Sequence, residues 1–172
     1  ETVTAQISAP RTDADGLLEL APLWKELHRH HREVSTYTPL VEDYEASWEA
    51  RLAWYRRLLE DGACYITATG PDGQLVAYAM VTLAIQPDDT FRSAQGIAEM
   101  LTLVVDQRHR SAGTGRALLD AAERLAGERG FDAMKISVMA GNERAQAFYE
   151  AAGYQVAEHV LYRRLGDGTD QG

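Results

Sequence analysis

Apolar residues recur at helical spacing through the first third of the chain and then give way to strand-like runs. Leu17, Leu18, Leu20, Ala21, Trp24, Leu27 and His28 predict a helix that Asp13 or Asp15 caps and that runs to about Arg32. A short strand over residues 3–8 precedes it, and residues 33–42 read as a polar connection ending near Pro39. Trp48, Leu52, Tyr55 and Leu59 line one face of a second helix, Tyr44 to Glu60, closed by Gly62. The period then changes. Ala63–Thr69 and Gln74–Ile85 are rich in β-formers and flank Gly70-Pro71-Asp72-Gly73, which predicts a hairpin. Beyond a loop over 87–95, the pattern gives a strand (Gly96–Val105), a helix (Thr114–Gly130), a strand (Ala133–Met139) and a short helix (Asn142–Ala152) stopped by Gly153. Tyr154–Val156 and His159–Leu165 predict two closing strands, and residues 167–172 a frayed tail. No repeat or linker interrupts this order, so residues 1–166 read as one domain.

Composition narrows the classes. The chain has 172 residues and 45% hydrophobic content, enough for one real core. No apolar run approaches the roughly 20 residues of a membrane helix, and the first residues show no basic-then-apolar leader. The lone cysteine, Cys64, has no intramolecular partner, which points to a reducing, cytoplasmic setting. The net charge of −9 argues against nonspecific nucleic-acid binding, which needs a broad basic face. That charge either draws a cationic small molecule or basic peptide, or only keeps the protein soluble.

Chemistry concentrates in two places. Arg110-Ser111-Ala112-Gly113-Thr114-Gly115 follows a strand and opens a helix. A helix start leaves N–H groups unpaired at the positive end of its dipole, and glycines let an anion approach the main chain. Arg108, Arg110 and Arg116 surround it with positive charge, and Arg116, Asp120 and Arg124 sit at i,i+4 spacing. The run lacks the lysine of a Walker A loop, and Leu118 occupies the third glycine position of a dinucleotide fingerprint. It reads as a diphosphate cradle. The second place is Asn142-x-x-Ala145-x-x-Phe148-Tyr149-x-x-x-Gly153-Tyr154, where Asn142 caps a helix whose Ala145, Phe148, Tyr149 and Ala152 share one face.

Glu99 is a third candidate. Ile97, Glu99, Leu101, Leu103 and Val105 fall on one strand face by period-two alternation. A carboxylate on an apolar face needs water or a partner, and burial raises a carboxyl pKa, which suits a base. Glu99 is therefore either a base or an ordinary glutamate at the strand's mouth. His28, His30 and His31 cluster without further ligands at metal spacing, so they read as a solvated helix end and no metal is expected. Cys64 has no evident histidine partner and is not a nucleophile.

Taken together, R-x-x-G-x-G and N-x-x-A-x-x-F-Y-x-x-x-G-[FY] resemble the GNAT superfamily, the acyl-CoA-dependent N-acyltransferases. Motifs and element order carry the resemblance over about residues 63–165; the first 60 match only in shape. Many members have glycine where this chain has Ser111, and often a basic residue where it has Ala112. The resemblance implies an α/β fold with a mixed, mostly antiparallel central sheet flanked by helices on both faces, and acetyl-CoA as cosubstrate. The diphosphate would rest on the backbone of Ser111, Ala112, Gly113, Thr114, Gly115 and Arg116, beside Arg110. The pantetheine arm would pair with the main chain at Leu103 and Val105 where two strands splay, held also by Asn142. Tyr149 would face the thioester sulfur, and Glu99 stands where some members place a base. Tyr37, Asp43, Tyr44 and Trp48 lie where members form the acceptor pocket, though Trp48 equally suits the core and the others the surface. Members are often dimers.

An ammonium group, with pKa about 10, cannot attack a thioester, so a base or relay is required, and Glu99 is the choice. A main-chain N–H near Val104 or Val105 would hold the oxyanion, and Tyr149 would protonate the leaving thiolate. The expected reaction is acetyl transfer to a primary amine of a small molecule or peptide. The rival is a noncatalytic acyl-CoA-binding or sensing module, which needs neither Glu99 nor Tyr149.

Overall fold

The computed structural model describes residues 5–166. One five-stranded sheet runs in the order β1 (Gln6–Ile7), β2 (Cys64–Thr69), β3 (Leu75–Thr82), β4 (Ala98–Val105) and β5 (Met134–Ile136). Neighbours are antiparallel except β4 and β5, which are parallel. A parallel pair needs a crossover, and helix α3 (Thr114–Glu128) supplies it. On one face α1 (Ala21–Val34) and α2 (Tyr44–Glu60) bury Leu23, Trp24, Trp48 and Tyr55 against Tyr65, Tyr78, Met80 and Val104. On the other, Leu118, Leu119, Ala122 and Leu125 of α3 pack on Ile66, Val76, Ala79 and Met100, with Phe148 and Tyr149 of α4 (Glu143–Ala151) at the margin. The mixed, mostly antiparallel sheet with helices on both faces is the expected architecture. Cover on both sides explains why β2 and β3 are buried along nearly their whole length.

Local chemistry sets the element ends. The Asp43 carboxylate accepts from the N–H groups of Glu45 (2.8 Å) and Ala46 (3.1 Å), starting α2 at Tyr44 as its periodicity predicts. The Gly70–Gly73 turn closes with a 3.0 Å bond from the Gly73 N–H to the Gly70 carbonyl, confirming the hairpin. The first helix differs from expectation. Asp13 does take the Gly16 N–H (3.0 Å), but the segment it opens is a 3-10 helix, Asp15–Leu20, and α1 begins afresh at Ala21. Pro22 explains the break: it lacks an N–H and fits only a helix's first turn.

Four expected strands fall short of the pattern. Of the stretch 3–8, residues 6–7 pair, and residues 3–4, like the expected tail over 167–172, lie outside the described residues. The run Ala133–Met139 forms only Met134–Ile136. Neither closing strand forms: residues 154–164 carry no regular structure, and Val156, Val160, Leu161, Tyr162 and Leu165 are exposed. A β-rich run becomes a strand only when its backbone finds a ladder, and among the described residues no strand pairs with the outer edge of β5.

Candidate active site

β4 keeps β3 as a partner along its length, but pairs with β5 only from Ala98 to Met100. Beyond that β5 ends at Ile136 and the pairing stops. The Asp106 N–H donates to the Val76 carbonyl at 2.8 Å, which makes 76 and 106 a hydrogen-bonded antiparallel pair. By alternation Val104 and Thr102 also spend their main-chain groups on β3, while Leu103 and Val105 turn theirs away from it, on the side where β5 has ended. The expected pairing edge at Leu103 and Val105 is thus present. Val104 is not part of it: its main chain faces β3 and its side chain is buried under α1 and α2.

A β-bulge lies in the same strand. Met80 sits opposite Thr102 and Val81 opposite Met100, leaving Leu101 unmatched. The bulge breaks strict alternation. Met100, Leu103 and Val105 pack toward α3, whereas Leu101 packs with the α1–α2 core. Ala98 also packs toward α3, so Glu99 points to the α1–α2 face. Alternation had put Glu99 on the face of Leu103 and Val105; one extra residue moves it to the other. Glu99 is not bare there. It stands beside Lys135, its register partner on β5, at 3.7 Å, and its side chain is 23% exposed.

Past β4 the chain enters the cradle. Asp106 caps a short 3-10 turn, Gln107–His109, taking the Arg108 N–H at 2.8 Å. The Arg108 hydrogen bonds hold the Asp106 carboxyl down to about 2. Ser111 (φ 70°) and Gly113 (φ 81°) then adopt left-handed conformations, and α3 starts at Thr114 with no side-chain cap. Glycine is at ease at such a φ and serine is not. A Cβ placed on Gly113 would meet nothing within 4 Å, whereas one on Gly115 would touch Val105 and Phe148 at 3.5 and 3.7 Å. Gly113 therefore opens outward and Gly115 seats the helix. These features fit an anionic diphosphate held by the main chain of Ser111–Arg116, with Ala112 offering only backbone.

The arginines contribute less than their number suggests. Each has a carboxylate partner: Arg108 with Asp106 at 2.9 Å, Arg110 with Glu26 at 3.6 Å and Arg116 with Asp120 at 2.8 Å. The i,i+4 pair at Arg116–Asp120 is the expected one. The positive field at the cradle comes chiefly from the uncapped α3 terminus.

Tyr149 packs at the margin of the α3-side core, edge-on to Phe148 and Tyr154. Burial pushes its phenol up to about 12, so at neutral pH it carries its proton. The side-chain oxygen of Asn142 accepts from the Ala145 N–H at 3.2 Å. It caps α4 as expected, which leaves its amide N–H groups for any contact with the arm.

The connection between α1 and α2 closes over this region. The Thr36 N–H donates to the Ala140 carbonyl at 3.3 Å, and the Tyr37 and Tyr162 rings meet at 5.5 Å. Gly141 (φ 94°) lies so close to the Val34 carbonyl that no Cβ fits. Of the four acceptor-pocket candidates, Trp48 is core, Asp43 is the α2 cap, and Tyr44 packs against His28 and Arg32. Tyr37 alone still faces a partner across the region. The histidines are not a solvated helix end. His28 is buried, stacked on Trp24, with Nε2 2.7 Å from the Val41 carbonyl. Burial holds His31 down to about 4, with His28, His30 and Arg51 adding repulsion. Among the described residues no His, Cys, Asp and Glu group suits a metal ion. Cys64 is buried, which pushes its thiol up and away from nucleophilic use. No helix among the described residues is long and apolar enough to cross a membrane.

Sequence reading did not find Glu26, Lys135 or Gly141. Glu26 meets Gln107 across 81 positions, and no local spacing signals such a contact.

The fold recurs in solved structures. A GCN5-related N-acetyltransferase from Ralstonia eutropha JMP134 is 20% identical with a TM-score of 0.74, covering 94% of this chain and 99% of that one. Aminoglycoside 6′-N-acetyltransferase AAC(6′)-IG from Acinetobacter haemolyticus is 20% identical with a TM-score of 0.66, covering 94% and 98%. Aminoglycoside N-acetyltransferase AAC(6′)-Iy in complex with CoA is 18% identical with a TM-score of 0.69, covering 94% and 95%. At such identity the likeness is one of fold. Among curated proteins none matches the chain in sequence. The sequence model of the acetyltransferase (GNAT) family, whose enzymes use acetyl-CoA as cosubstrate, matches residues 24–154. That span runs from α1 through the open edge of β4, the cradle and α4 to Tyr154. The chain belongs to the GNAT acetyltransferase family.

Proposed function

We propose that this protein transfers the acetyl group of acetyl-CoA to a primary amine by direct attack, with Tyr149 as general acid and Glu99 as base. The observation that carries the reading is the continuity of one open edge. The main-chain groups of Leu103 and the N–H of Val105 point away from β3 on the side where β5 has ended, and that edge leads into the start of α3, which has no side-chain cap. A pantetheine arm lying along it as an added strand sets the thioester where β5 ends.

Glu99 lies toward α1 and α2 and Tyr149 toward α3, so the two bracket that edge from opposite sheet faces. The amine enters from the Glu99 side, where the carboxylate takes its proton directly or through a water. The nitrogen lone pair forms the C–N bond, and the main-chain N–H of Leu103 or Val105 holds the oxyanion. The carbonyl re-forms as the C–S bond breaks, the thiolate takes the Tyr149 proton, and the new amide nitrogen releases its surplus proton through water, which returns Tyr149 to its neutral form. Approximation of the two substrates supplies most of the acceleration. No enzyme-bound acyl intermediate is required.

The net charge of −9 favours a cationic acceptor. Two relatives in fold are aminoglycoside N-acetyltransferases, so aminoglycosides and polyamines head the panel. The experiment is thiol release from acetyl-CoA across an amine library, with mass spectrometry to identify the product gaining one acetyl group. Tyr149→Phe should lower kcat about 10- to 100-fold with KM nearly unchanged. An unaltered kcat removes Tyr149 from the chemistry. Tight CoA binding with no turnover on any amine replaces the enzyme reading with that of a binding module.

A further inference from the structure

The stretch between β4 and the cradle leaves the sheet after Asp106. Within it the hydrogen bonds are local: the His109 N–H donates to the Asp106 carbonyl at 2.9 Å, and the Asp106 carboxylate takes the Arg108 N–H at 2.8 Å. One bond among the described residues reaches another element. The Gln107 N–H donates to Glu26 Oε1, on α1, at 2.8 Å. The same oxygen lies 3.6 Å from the Arg110 guanidinium, whose Nε donates to the Val105 carbonyl at 3.2 Å. Glu26 is only 19% exposed, so this contact is shielded more than a surface ion pair.

Its placement gives it leverage. Arg110 joins the last residue of the open edge to α1, and Ser111, the next residue, holds a left-handed conformation unfavourable for serine. A strained loop persists only where its surroundings over-determine it. Helix α1 is core-packed through Leu23 and Trp24, and its far end runs into the connection resting on Ala140. Anchoring the cradle to α1 ties the diphosphate loop to the same helix that leads into the acceptor side.

We propose that Glu26 is a positioning residue for acetyl-CoA: one carboxylate oxygen fixes the Gln107 N–H and Arg110, and so holds the Ser111–Gly113 turn ready for the diphosphate. This rests on the reading that Ser111–Arg116 bind that group. Preorganisation of this kind acts on affinity rather than on the chemical step.

The test measures CoA binding by calorimetry, acetyl-CoA kinetics with the best amine of the panel, and amide hydrogen exchange. Glu26→Ala should weaken CoA and raise the acetyl-CoA KM about 5- to 20-fold, with kcat within about twofold. Glu26→Gln keeps an oxygen for the Gln107 N–H and should stay within about threefold of wild type. Arg29→Ala, which lines the same 420 Å³ cavity beside Glu26, serves as the control and should change nothing. Exchange over residues 107–113 should quicken in Glu26→Ala while α1 stays protected. Wild-type affinity in Glu26→Ala, or an equal loss in Arg29→Ala, overturns the proposal. Should Glu26→Ala fail to fold, Glu26→Asp replaces it: the shorter side chain must lose affinity while Glu26→Gln keeps it, and equal binding by both overturns the idea. The underlying reading fails separately, if CoA protects amides of wild type elsewhere than Ser111–Arg116.

Discussion

Ser111 and His31 each hold a state their residue type resists, and each leaves a measurable trace. Ser111 occupies left-handed backbone at φ 70°. Glycine relieves the strain but gives the unfolded chain more freedom, so Ser111→Gly should raise stability by about 0.5 kcal/mol, and Ser111→Val lower it by about 1–2 kcal/mol. Urea unfolding reads both; equal stability of the two variants means the turn is not strained. His31 is neutral in the fold down to about 4, against an ordinary 6.5. Below 6.5 the unfolded chain therefore binds the extra proton first. Stability from this group is full above 6.5 and is lost as pH falls toward 4, by about 3 kcal/mol at most. His31→Gln should flatten the fall in Tm across that window relative to wild type. Parallel curves would show that other groups govern the acid limb.

At the scale of elements, β4 decides most. Its bulge at Leu101 turns Glu99 to the α1–α2 face while leaving Leu103 and Val105 toward α3. Next to the bulge a buried hydroxyl trio braces the strand from α2: Tyr55 meets Thr102 at 2.5 Å and Tyr78 at 3.2 Å. Burial also pushes the Tyr55 and Tyr78 phenols up, keeping both as neutral hydrogen-bonding groups. Thr102→Val conserves volume and removes one partner, so it isolates the hydrogen bond. It should cost about 1–2 kcal/mol, measured by denaturant unfolding. A neutral result means the trio does not brace β4. α3 and α4 were more transparent, because their starts are marked locally, by the left-handed Gly113 at one and the Asn142 cap at the other.

For the whole molecule, the controlling contact is the approach of the α1 end to the turn before α4. Gly141 has φ 94° and no room for a Cβ beside the Val34 carbonyl. Gly141→Ala should destabilise by about 1–3 kcal/mol and speed proteolysis within residues 35–43, since the Thr36–Ala140 bond depends on the same approach. Unchanged stability and cleavage would show that the connection does not need this contact.

What the chain determined by itself was everything encoded at short range. Helical and strand periods gave α2, α3, α4 and the β2–β3 hairpin, because one face of each must be apolar wherever the sheet lies. The cradle and the α4 motif were legible because a strand end, glycines and a helix cap are neighbours in sequence. Tertiary structure decided what depends on a partner far along the chain. Residues 154–165 stayed out of the sheet for want of a ladder, and the arginines around the cradle met carboxylates at Asp106, Glu26 and Asp120. The face of Glu99 changed because the bulge exists only in the β3–β4 register. Spacing fixes which way a side chain points relative to its neighbours; only packing fixes what it meets there.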